Sequence, residues 1–67
     1  MREFKRFFID MPPKDDDLAK ILDIAKTENC SVELTWFVKY SGQYRVIAHP
    51  YSTIEELRDM VPKIYGL

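Results

Sequence analysis

From Cys30 to Pro50 the chain alternates. Even positions carry Cys30, Val32, Leu34, Trp36, Val38 and Tyr40, and resume with Tyr44, Val46 and Ala48. Odd positions carry Ser31, Glu33, Thr35, Phe37 and Lys39, then Gln43, Arg45, Ile47 and His49. Period two is the mark of a half-buried strand, so this stretch predicts a β-hairpin with one apolar and one mixed face. The loop follows from parity. A two-residue loop, Ser41-Gly42, would set even positions beside odd ones and put Val38 on a face with Arg45. A three-residue loop, Tyr40-Ser41-Gly42, keeps even beside even and places Gly42 where a positive φ is required. The cross-strand pairs expected from it are Lys39/Gln43, Val38/Tyr44, Phe37/Arg45, Trp36/Val46, Thr35/Ile47 and Glu33/His49.

The pattern changes on either side. Residues 3–10 predict a first strand, with Phe4, Phe7, Phe8 and Ile9 close together, ended by Met11-Pro12-Pro13-Lys14 because proline cannot donate to a ladder. Leu18, Ile21, Leu22 and Ala25 then follow helical spacing as one buried stripe. Asp15-Asp16-Asp17 open that helix: one is expected as its N-cap and the others at the positive end of its dipole. A calcium loop would need acids at alternating positions and a turn glycine, and this run has neither. Asn29 suits a left-handed C-cap. A last helix follows His49-Pro50-Tyr51. Ser52-x-x-Glu55 and Thr53-x-x-Glu56 both fit a capping box, and Ile54, Leu57, Val61 and Ile64 form the stripe, with Met60 beside it. Pro62 is expected to end or kink it.

The element order is therefore β-α-β-β-α, one domain over residues 1–67. The expected class is α+β: a three-stranded sheet with two helices packed on one face, the ferredoxin-like pattern with its final strand missing. The favoured strand order puts the third strand in the centre; the alternative puts the second strand there. In both, the helices cover Leu34, Trp36, Val38 and Val46 and leave the opposite face open. Phe4, Arg6 and Phe8 are expected on the open face, because burying Arg6 in mid-strand would leave a charge unpaired.

Composition narrows what the domain can do. A chain of 67 residues buries only about 60% of its unfolded surface, and such domains often gain stability from a disulfide, a metal or a partner. The one cysteine excludes an intrachain disulfide, and one Cys with one His cannot form a zinc site alone. Cys30 is expected to be a buried thiol. Ten basic and eleven acidic residues give a net charge of -1, which does not match a duplex DNA binder. No apolar run approaches the roughly 20 residues that span a bilayer, and the apolar segment ending at Asp10 is too short for a signal-peptide core. A cytoplasmic location, no membrane association and no cofactor are the resulting expectations.

Catalysis has little support. His49 is the one histidine, and the expected Glu33 neighbour makes it a surface pair rather than an oriented base. Two glycines leave no phosphate loop. The expected interaction surface is Phe4, Arg6, Phe8, Phe37, Lys39, Arg45 and Ile47 on the open face. The expected function is a non-enzymatic intracellular binding or regulatory module that docks on a protein partner, by this face or by an edge strand, and forms a homodimer. Small regulators and inhibitors of this kind include ones carried by phage and mobile elements. The alternatives are a binder of single-stranded nucleic acid, RNA in particular, that stacks bases on the aromatic residues, and a structural homodimer without a ligand.

Overall fold

The computed structural model describes residues 4–39 and 42–62. The first strand, β1, runs Phe4–Ile9. Pro12 and Pro13 lead from it into helix α1, Asp15–Glu28. None of the three aspartates is the N-cap of α1. Lys14 holds that position with extended backbone, and the Asp17 carboxylate reaches back to accept its N–H at 2.9 Å. Lysine offers no acceptor, so the cap is made from within the first turn instead. Leu18, Ile21 and Ala25 are buried and Leu22 half-buried, as the stripe predicts. Asn29 adopts the left-handed conformation (φ 51°, ψ 50°) and the Cys30 N–H returns to the Ala25 carbonyl at 3.2 Å. The Cys30 thiol is buried, as expected.

The hairpin strands are β2, Ser31–Val38, and β3, Gly42–Ala48. Gly42 has φ +94°, so the positive φ expected there is present. Parity also holds: even faces even. The register, however, is slid by two from the expected one. Val38 lies opposite Gly42, Phe37 opposite Gln43, Trp36 opposite Tyr44, Thr35 opposite Arg45, Leu34 opposite Val46 and Glu33 opposite Ile47. Residues 39–41 thus connect the strands, and Tyr40 and Ser41 of the expected loop lie outside the described residues. A slide by two leaves every side chain on its face, so alternation cannot distinguish the registers. Pair contacts can: in the observed register the Trp36 and Tyr44 rings stack with centroids 6.0 Å apart.

Strand order is β1-β2-β3, so the second strand is central, not the third. β1 pairs parallel to β2, with Phe4 beside Ser31 and Ile9 beside Trp36. Val32 to Trp36 form five consecutive buried residues, and a strand buried on both sides belongs in the middle of a sheet.

Helix α2, Ile54–Met60, starts at the second candidate capping box. Thr53 Oγ1 accepts from the Glu56 N–H and the Glu56 carboxylate accepts from the Thr53 N–H. It stops before Pro62; Val61 is buried, and Ile64 of the expected stripe lies outside the described residues. Both helices pack on the even face of the sheet and against each other. The core beneath them contains Leu18, Ile21, Ala25, Val32, Leu34, Trp36, Val46, Ala48, Leu57 and Val61. A bidentate pair between Arg58 and Asp15, at 3.1 and 3.2 Å, ties α2 to the start of α1 and holds the guanidinium pKa above its ordinary value. The molecule is thus an α+β domain with a three-stranded mixed sheet and two helices on one face.

Candidate functional site on the open sheet face

The register places Phe4, Arg6 and Phe8 of β1 beside Ser31, Glu33 and Thr35 of β2, on the face away from the helices. Arg45 and Ile47 of β3 complete the rows opposite Thr35 and Glu33. Phe37 lies further along β2 on the same face. Lys39 falls in the turn after Val38, beyond the paired register. Six of the seven sequence-selected residues therefore share one face, and Ile47 is half-buried in it.

At its centre stands Glu33, only 2% exposed. Its carboxylate meets the Arg6 Nε at 2.9 Å and the Arg45 Nη1 at 3.8 Å, and accepts the Thr35 hydroxyl at 2.7 Å. An ionised carboxylate out of water needs such partners. Only a central β2 lets one strand on each side deliver an arginine to it. The Arg6 guanidinium also lies 5.5 Å from the Phe4 ring centroid. Both arginines remain about half exposed, so two cations face solvent around one anion.

Around this cluster the aromatic groups are open to solvent. Phe4 is 52% exposed, and Phe8 and Phe37 are each 63% exposed. Phe8 lies beside Thr35, and Phe37 follows two residues further along β2 on the same face.

The expected Glu33/His49 pair is not formed. His49 Nδ1 lies 2.9 Å from the Ser31 hydroxyl, and its ring stacks on Tyr51 with centroids 5.3 Å apart. Glu33 faces Ile47 instead, a consequence of the two-residue slide. Glu33 is the residue that the strand pattern undervalued. The available signal was an acid in mid-strand, two residues from a threonine on the same face, with arginines at matching parity in both other strands.

Among the described residues no three His, Cys, Asp or Glu side chains converge as a metal site would require. No described helix is long and apolar enough to cross a membrane. Comparison with protein-family models, with curated proteins and with solved structures finds no match.

Proposed function

We propose that this protein is a non-enzymatic cytoplasmic binding module that regulates a partner protein by docking its open sheet face on it. The observation behind this reading is the ring of exposed Phe4, Phe8 and Phe37 around the Arg6–Glu33–Arg45 cluster. Contiguous exposed aromatic groups on a small domain mark interaction surfaces, and arginine beside them supplies directional hydrogen bonds. Glu33 holds the Arg6 guanidinium at 2.9 Å before any partner arrives, which lowers the ordering cost of binding.

Phe37→Ala with Phe8→Ala tests this. The double variant is expected to keep its fold by circular dichroism and to lose capture of a defined partner from host lysate. Equal capture by wild type and variant would sink the reading.

The same three aromatic groups favour a second reading, stacking of single-stranded RNA or DNA. The carboxylate argues against it, because Glu33 sets a negative charge between the two arginines that a phosphate backbone would have to approach. Oligonucleotide titration at low salt separates the two: a binder of this kind weakens as salt rises.

A further inference from the structure

Glu33 does not satisfy its two arginines equally. It meets the Arg6 Nε at 2.9 Å, and the Arg6 guanidinium also lies over the Phe4 ring. The Arg45 Nη1 stands 3.8 Å away, beyond hydrogen-bond distance. Among the described residues Arg45 makes no other ion pair or hydrogen bond, and its side chain is 62% exposed. A guanidinium is a planar fork of N–H donors that fits a carboxylate bidentately. Arg6 is therefore already engaged, while Arg45 keeps its fork for an acceptor from outside.

The neighbours of Arg45 set the rest of that ligand. Thr35 lies between it and Phe8 across the sheet, Ile47 follows it on β3, and Phe37 follows Thr35 on β2. Phe8 and Phe37 are exposed and Ile47 is half-buried. A partner lying here brings apolar groups onto the rings, excludes water and so strengthens an ion pair at Arg45. Resting on the docking reading above, we propose that the partner binds through a protein segment with one Asp or Glu flanked by apolar side chains, its carboxylate seated on Arg45. The charges favour a single carboxylate over a run of phosphates. Two arginines and one glutamate leave this cluster at +1, within a chain of net charge -1.

Panning a random-peptide phage library on the full chain tests this. Enriched peptides are expected to share an Asp or Glu with aromatic or aliphatic residues on both sides. For the tightest peptide, made synthetically, Arg45→Gln should raise Kd about tenfold and Arg6→Gln about threefold or less. Arg45→Glu, paired with a peptide whose acid is changed to lysine, should regain most of the affinity, which a merely structural role of Arg45 would not allow. Enriched peptides without an acid, an equal loss at Arg6 and Arg45, or tighter binding of poly(U) than of any peptide at physiological salt overturns the proposal. Should Arg6→Gln unfold, Arg45→Gln and the charge swap decide. If Phe8→Ala with Phe37→Ala abolishes peptide binding while Arg45→Gln leaves it unchanged, the docking face stands and the carboxylate site falls. A library that yields no binder also overturns the carboxylate site, and capture from lysate still decides the docking face.

Discussion

On one face of the sheet Val32, Leu34, Trp36, Val46 and Ala48 are buried beneath two helices; on the other, Glu33 and Thr35 are equally buried with no described helix above them. The first face excludes water by covering apolar groups with more apolar groups. The second does so with its own neighbours, a carboxylate held between arginines from the flanking strands. Burial alone therefore does not identify the core of this protein. The helix face carries the stability, because apolar area removed from water is the main favourable term. The open face retains exposed aromatic surface, which contributes to stability only weakly and is available for binding.

Five substitutions test that contrast. Trp36→Ala, at the centre of the covered face, should cost about 3–5 kcal/mol and unfold so small a domain, measured by chemical denaturation. Glu33→Ala should cost less, about 1–2 kcal/mol. It removes charged hydrogen bonds, but both arginines are half exposed and recover solvation. A loss as large as that at Trp36 would show that the polar centre is a second core. Glu33→Gln adds a discriminating readout: it frees two cations, so it should strengthen oligonucleotide binding if the face takes nucleic acid and weaken protein docking if it does not. Thr53→Ala removes the cap of α2 and should cost about 1 kcal/mol, seen as a modest drop in the denaturation midpoint. Phe37→Ala should change stability by about 0.5 kcal/mol or less, because the ring is largely solvated, while abolishing partner capture. A large stability loss there would mean that the open face is covered in solution.

Much of the open face is legible in the sequence. Alternation placed Phe4, Arg6, Phe8, Phe37, Arg45 and Ile47 on one face, and the requirement that Arg6 not be buried unpaired chose the correct side of β1. The expected role of Glu33 failed because it rested on one register. With His49 assigned as its partner, the carboxylate looked peripheral; with Ile47 opposite it, Arg6 and Arg45 reach it from either side.

The local features come from the sequence alone because they depend on near neighbours: the helical stripe of α1, the left-handed Asn29, the Thr53–Glu56 cap, the positive φ at Gly42 and the membership of each sheet face. Register and strand order needed the tertiary structure. Sliding a hairpin by two, or exchanging which strand is central, leaves every periodicity unchanged. Those choices were decided by contacts between distant residues, above all Trp36 on Tyr44 and one buried carboxylate between two arginines.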